Sequence, residues 1–299
     1  MMNRSLLLIS TLLMAPAMGL AEEAGEWMGP EQPAPRLSLS YGQDEDDYQV
    51  GSVNANLPLQ DGSRAHFTFE RGRLADDTAT GYLSAGLSSD PLADSVVRID
   101  GIVRGTRDVS RFYELKLEGT RYFERWDFGF QGRGGVVRIE DHGLASDNGG
   151  SDSDHRGLRG GIGPRLGYQN GPLYLSLSAT EYFYRWEDGD PESDGSPLFA
   201  NAPGPLGRTG SGAGASQGAQ RSPILTEREG TAMATLFAGP MDWQLGFQRT
   251  VATDSEKQDW ILLGTSFNSR AGHWIGLNVD VPTEDEDPVF GQITLGIAL

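Results

Sequence analysis

The sequence predicts an all-β protein, a transmembrane antiparallel β-barrel of about fourteen strands with short turns at one end and long acidic loops at the other. Apolar side chains recur at every second position through most of the chain, which is the period of a strand with one buried and one solvated face. Connectors alternate between short turns and longer polar segments, and aromatic residues gather near the ends of the runs. Together these features describe a sheet closed on itself inside a bilayer.

The chain opens "MMNRSLLLISTLLMAPAMGLA", with Arg4 before an apolar stretch from Leu6 to Met14 and the small residues Gly19 and Ala21 at a cleavage point. Residues 1–21 are therefore expected to be a secretory signal, since the apolar part is too short for a spanning helix of about twenty residues. Residues 22–35, "EEAGEWMGPEQPAP", are acidic and proline-rich and read as a solvated leader. The barrel is expected over 36–299.

In "RLSLSYG" the side chains of Leu37, Leu39 and Tyr41 share one face and those of Arg36, Ser38 and Ser40 the other. The pattern weakens in "YQVGSVNANL". It returns in "HFTFERG", "GYLSAGL", "SVVRIDGIVRG", "FYELKLEGT" and "WDFGFQGRGGVVRIE". "GLRGGIGPRLGY", "PLYLSLSATEYFYRW", "TAMATLFA", "WQLGFQRTV", "WILLGTSFN", "HWIGLNVDV" and the terminal "VFGQITLGIAL" complete the set. A soluble sandwich also alternates, so the connectors decide between the two architectures. "QNG", "AGPMD" and "NSRAG" are short, whereas "QDEDD", "RLADDTA", "DHGLASDNGGSDSDH", the segment 188–223, "TDSEKQD" and "PTEDEDP" are longer and mostly acidic. Aromatic belts are expected at Tyr122, Phe123 and Trp126, at Tyr168 and Trp243, and at an outer rim formed by Tyr182, Tyr184 and Trp186.

The charge excludes some functions. Without residues 1–21 the chain carries 23 basic against 42 acidic residues, an unsuitable surface for nucleic acid. There is no cysteine, so neither disulfides nor thiolate metal sites stabilise it. No run of eighteen apolar residues follows the signal, which excludes helical spans.

In its overall pattern the chain resembles the Gram-negative outer-membrane β-barrel class. Its terminal run resembles the strand signal read by the barrel-assembly machinery: Ile293, Leu295, Ile297 and Leu299 take the alternating apolar positions, and Leu299 stands where that signal most often has Phe. The resemblance implies a place in the outer membrane, contact with its lipid and lipopolysaccharide, and recognition of 293–299 by the assembly machinery. An even strand number puts both termini on one side, expected to be the periplasm. The last strand should pair with "RLSLSYG", because an open edge in lipid would leave backbone groups unpaired.

If the long apolar side chains face lipid, the other parity faces the lumen. That places Arg98, Asp100 and Arg104 inside from one strand, Glu114, Lys116 and Glu118 from the next, and Arg159 and Arg165 from another. The phase of Arg133 and Arg138 stays open because Gly134 and Gly135 invite a bulge. Gln244, Gln248, Ser266, Asn268, Asn278, Gln292 and Thr294 are neutral inward groups, joined by Glu227 and Glu229. Arg98, Arg104, Arg159 and Arg165 are expected to face Glu227 and Glu229 across the lumen. Arg185 and Arg249 fall outward near strand ends, where a long cation reaches the headgroups or a protein partner.

Other chemistry is weakly signalled, and no cofactor or metal is expected. His66 and His273 fall in predicted strands. His142 and His155, with Asp141, Asp147, Asp152 and Asp154, flank or lie in an acidic loop whose spacing matches no defined cation motif. The glycine-rich "GRGGVVRIED" and "LRGGIGPRLG" precede no helix and so form no phosphate loop. No serine is paired with a histidine by a sequence cue.

The sequence therefore favours a passive porin-like channel for small polar or charged solutes, without enzyme activity. A non-conducting structural or assembly barrel that docks an envelope protein stands beside it, and an outer-membrane lipid hydrolase behind both. Whether 188–223 folds inward as a constriction or remains an outer loop stays open.

Overall fold

The computed structural model describes residues 35–44, 48–73, 79–89, 94–107, 109–140, 154–187, 225–252, 257–283 and 288–299. The expected signal, nearly all of the leader and the segment 188–223 lie outside these residues, as do His142, Asp141, Asp147 and Asp152.

The described residues form fourteen strands. They are β1 (Arg36–Asp44), β2 (Gln49–Pro58), β3 (Arg64–Arg73), β4 (Ala79–Ser88), β5 (Ser95–Thr106), β6 (Ser110–Phe123) and β7 (Trp126–Glu140). The second half holds β8 (Asp154–Asn170), β9 (Leu173–Trp186), β10 (Thr226–Ala238), β11 (Met241–Ala252), β12 (Lys257–Asn268), β13 (Trp274–Pro282) and β14 (Phe290–Ala298). Each pairs antiparallel with its neighbours in sequence, and β1 pairs with β14 to close the barrel. At the seam Leu37 lies opposite Ile297, Leu39 opposite Leu295 and Tyr41 opposite Ile293. Inside it, the Thr294 hydroxyl donates to Ser40 Oγ at 3.0 Å.

Burial runs opposite to that of a soluble protein. Leu39, Leu87, Val97, Leu115, Phe128, Phe130, Ile162, Leu177, Phe183, Leu245 and Leu295 are exposed on the outer face, while Asp100, Glu114, Lys116, Arg159, Gln248 and Thr294 are buried inside. A belt of large exposed apolar side chains around a polar interior suits a bilayer and not water. No helix among the described residues is long and apolar enough to cross a membrane; the strands do so.

One end carries the connectors 59–63, 89–94, 124–125, 171–172, 239–240 and 269–273 and is here the turn end. Gly171 and Gly239 take φ of +57° and +63° ahead of Pro172 and Pro240. Glycine allows the left-handed first position of a two-residue hairpin turn, and proline fixes the second. Glu124 occupies the left-handed region without that freedom, at φ 48°, a strain of about 1–2 kcal/mol. Asp61 accepts hydrogen bonds from the Ser63 amide and hydroxyl, which hold its carboxyl below the usual carboxylate range.

The opposite, loop end departs from the expected strict alternation. Its connector 107–109 has three residues, fewer than the six of 89–94 at the turn end. The strands extend into the polar segments, because backbone pairing continues past the apolar belt. Two connectors, 141–153 and 187–225, account for most of the length at this end.

Candidate functional site

The register settles which side chains the barrel interior holds. β7 pairs without interruption with β6 and β8, so Gly134 and Gly135 introduce no bulge. Arg133 therefore faces inward beside Lys116, and Arg138, five residues on, faces outward beside Arg111.

Arg98, Asp100, Arg104, Glu114, Lys116, Glu118, Arg159 and Arg165 all share the inward parity. They meet in pairs along the wall. Arg98 holds Asp100 through two hydrogen bonds of 2.6 and 3.0 Å. Glu114 accepts from Arg104 Nε at 3.1 Å and from Arg159 at 2.6 Å, and Lys116 lies 2.5 Å from Glu118. Arg104 and Arg159 also stand over the Phe112 ring, and Arg159 over Tyr182 at 4.1 Å. Tyr174 donates to Asp127 at 2.9 Å nearer the turn end.

Glu227 departs from its expected place. The β10–β11 register shifts between Thr226 and Arg228, leaving Glu227 at a bulge where it pairs with the outward Arg228 at 2.9 Å. Glu229 does face inward, but its bonds are to neighbouring strands, from Tyr182 Oη at 3.3 Å and Gln248 Nε2 at 3.5 Å. The expected opposition to Glu227 and Glu229 is thus replaced, for three of the four arginines, by pairing along the wall: Arg98 with Asp100 of its own strand, Arg104 with Glu114 of the next, and Arg159 with Glu114 two strands away. A flexible cation reaches a carboxylate two strands away more readily than one across the lumen.

Sequence reasoning passed over several inward groups. Asp242 receives hydrogen bonds from Ser266 at 3.2 Å and Asn268 at 2.9 Å. Asp44, Glu70 and Asp280 are buried on the walls away from the basic arc, and one oxygen of Glu70 has no hydrogen-bond partner. All of these follow from strand parity once exact strand boundaries are known. By parity, the described part of β5–β9 turns inward six cations (Arg98, Arg104, Lys116, Arg133, Arg159 and Arg165) and four carboxylates (Asp100, Glu114, Glu118 and Asp127). The remaining described wall turns inward Asp44, Glu70, Glu229, Asp242 and Asp280 against Arg36 and Arg64. The interior is accordingly positive on one arc and negative on the other.

Polarity also changes along the axis. Toward the loop end, Tyr48, Val50 and Phe290 form one buried apolar cluster. Phe112, Val137, Ile139 and Leu225, with Tyr184 and Trp186 against them, form another on a different wall. Tyr48 lies over Gly72, where a β-carbon would come within 2.5 Å of its hydroxyl, and that hydroxyl lies 3.4 Å from Thr80 Oγ1. Toward the turn end the inward groups Asn54, Asn56, Arg98, Gln131, Ser176, Gln244 and Asn278 are half-buried. Tyr182, Tyr184 and Trp186 consequently belong to the interior and not to an outer aromatic rim. They continue the parity of Ser176 and Ser178, while Phe183 and Arg185 continue the outward parity of Leu175 and Leu177. Phe123, Trp126, Tyr168 and Trp243 do face outward at the turn end, and Trp126 packs on Tyr168 at 4.5 Å. Tyr122 has inward parity and sits at an exposed strand end.

His66 and Ser88 meet inside the barrel, Nε2 to Oγ at 2.8 Å. A base beside a hydroxyl is the beginning of a nucleophilic site. The nearby acid Asp100 is held by Arg98 and not by His66. His273 lies in the turn before β13, where its Nδ1 accepts from the Ala298 amide at 3.3 Å. Among the described residues no group of three or more His, Asp or Glu side chains is placed to hold a metal. His155, the described part of the acidic-loop group, is buried.

CdiB from Acinetobacter baumannii is similar in structure, with a TM-score of 0.50, 8% identity and coverage of 90% of this chain and 60% of that one. The chain has the fold of a bacterial outer-membrane β-barrel. Lower similarities include a KdgM porin, with a TM-score of 0.44, 6% identity and coverage of 88% and 99% of the two chains. A NanC porin aligns at a TM-score of 0.43 with 10% identity over 88% and 100%. No protein-family model and no curated protein sequence matches the chain.

Proposed function

We propose that this protein is a porin-like channel of the outer membrane that passes small polar or charged solutes, with both termini in the periplasm. The observation that carries this reading is the sorting of interior charge, with a net positive β5–β9 arc against a net negative remainder. Such an arrangement sets a field across a watery path and orients dipolar or ionic solutes within it. The half-buried polar groups toward the turn end supply the wetted lining, and the apolar clusters toward the loop end supply apolar walls of the kind that gate by dewetting.

Planar-bilayer conductance of the purified barrel tests the proposal. Discrete current steps are expected, and Arg98→Gln with Arg165→Gln should move the reversal potential in a salt gradient toward cation selectivity. Absence of current, even after deletion of 188–223, would overturn the channel reading.

One observation favours a second function. Lys116, Glu114 and Arg159 are buried and ion-paired, as in a lumen filled for stability alone. A non-conducting barrel that docks an envelope partner would carry no current before or after that deletion.

A further inference from the structure

One inward cation has no counterpart on the wall. The β5–β9 arc turns six cations and four carboxylates into the barrel. Asp100 holds Arg98, Glu114 holds Arg104 and Arg159, and Glu118 holds Lys116. Arg165 is hydrogen-bonded to Tyr174, which donates to Asp127. Arg133 has no hydrogen bond or ion pair to any described residue, and its buried Nε lacks an acceptor. Glu114 and Glu229 lie within electrostatic range of it, but both accept hydrogen bonds from other side chains.

Arg133 stands where the lumen changes character. Along β7 the inward Gln131 and Arg133 are half-buried, whereas Val137 and Ile139 beyond them are fully buried. Arg133 is therefore the last charged inward group of β7 on the way from the polar turn end to the apolar packing of the loop end. The register puts Lys116 opposite it on β6 and Gly161 opposite it on β8. Like charges facing each other on adjacent strands are destabilising, and Lys116 is already held by Glu118. On the other side, a β-carbon at Gly161 would come within 2.6 Å of Tyr182 Cδ1, so the Tyr182 ring leans over Gly161 and walls that flank with apolar surface.

A half-buried guanidinium without a partner is stabilised by an anion, and its planar fork matches a carboxylate through two parallel hydrogen bonds. The local charge count sets the charge of that anion. Arg133 supplies one uncompensated positive charge, while the nearby carboxylates of Glu114 and Glu229 repel a second negative one. We infer that Arg133 is a lumenal binding site for the carboxylate of a small monoanionic organic acid, seated beside Tyr182 where the polar turn-end lining gives way to the apolar loop end. The inference deepens the channel reading by naming the group that the lumen recognises on its solute. It rests on that reading for passage of the acid but not for its binding.

Saturation-transfer NMR of propionate with the mature barrel in zwitterionic micelles, at constant ionic strength, measures binding without any current. The dissociation constant is expected to rise at least tenfold in Arg133→Gln and to stay within twofold of the parent in Arg121→Gln, an outward cation at the turn end. A second arm needs no variant: propionamide, uncharged and of similar shape, should not bind the parent barrel. Equal affinity for propionate in the parent and in Arg133→Gln, or equal binding of propionate and propionamide by the parent, would overturn the assignment. Displacement of propionate by an equal concentration of chloride would also overturn it, showing a site for any small anion. Planar-bilayer current separates the two readings. Arg133-dependent binding in a barrel that carries no current would keep the site and remove the channel, whereas current without such binding would remove the site and keep the channel.

Discussion

Arg159 of β8 donates to Glu114 of β6 at 2.6 Å, reaching across β7. Between them in the register stands Gly135, opposite Glu114 on one side and Arg159 on the other. A β-carbon at Gly135 would come within 2.0 Å of the Tyr113 carbonyl oxygen and 2.7 Å of Glu114 Cα. The missing side chain lets the β6 and β7 backbones come close beneath the ion pair, and Arg159 stands over the Tyr182 ring.

Gly135 and its neighbour Gly134 should therefore respond differently to the same change. Gly134 faces outward with nothing within 4 Å of an added β-carbon, so Gly134→Ala should leave stability within about 0.5 kcal/mol of the parent. Gly135→Ala forces the β6 and β7 backbones apart and should cost about 1–3 kcal/mol. Urea unfolding in lipid vesicles, followed by tryptophan fluorescence, measures both.

Glu114 is shared by Arg104 and Arg159, so its loss takes a carboxylate from two cations at once, whereas loss of Arg159 leaves the carboxylate with Arg104. Glu114→Gln is expected to destabilise more than Arg159→Met, by an amount approaching the roughly 3–5 kcal/mol of a broken buried pair. The combined variant should recover part of the loss in a double-mutant cycle. Equal costs for the two single changes would mean that the three groups do not act as a unit.

Tyr48 and Leu225 hold the two apolar clusters at the loop end. Tyr48→Ala and Leu225→Ala should each raise single-channel conductance, and the pair together should raise it more. Leu225→Ala should also cost about 2–5 kcal/mol. A conductance that ignores both changes would place the path elsewhere in the lumen.

His66 and Ser88 make a hydroxyl–imidazole contact without an acid on the ring. Purified barrel is expected to release no fatty acid from phospholipid or lipid A, and Ser88→Ala to leave conductance within twofold of the parent. Release that disappears in both Ser88→Ala and His66→Ala would reassign the pair to catalysis.

The sequence by itself determined strand number, the parity of nearly every inward residue and the seam between β1 and β14. All three depend on an alternation read locally along one strand, which one long run of side chains suffices to fix. The same parity, followed through β9, already places Tyr182, Tyr184 and Trp186 inside; proximity to a strand end is a poorer guide than phase. Only the tertiary structure decided that β7 runs without a bulge past Gly134 and Gly135, turning Arg133 in and Arg138 out. It alone set Glu114 between two arginines, moved Glu227 to the rim and brought His66 to Ser88. Those meetings depend on the stagger between neighbouring strands, which the summed contacts of the closed sheet fix and no single segment encodes.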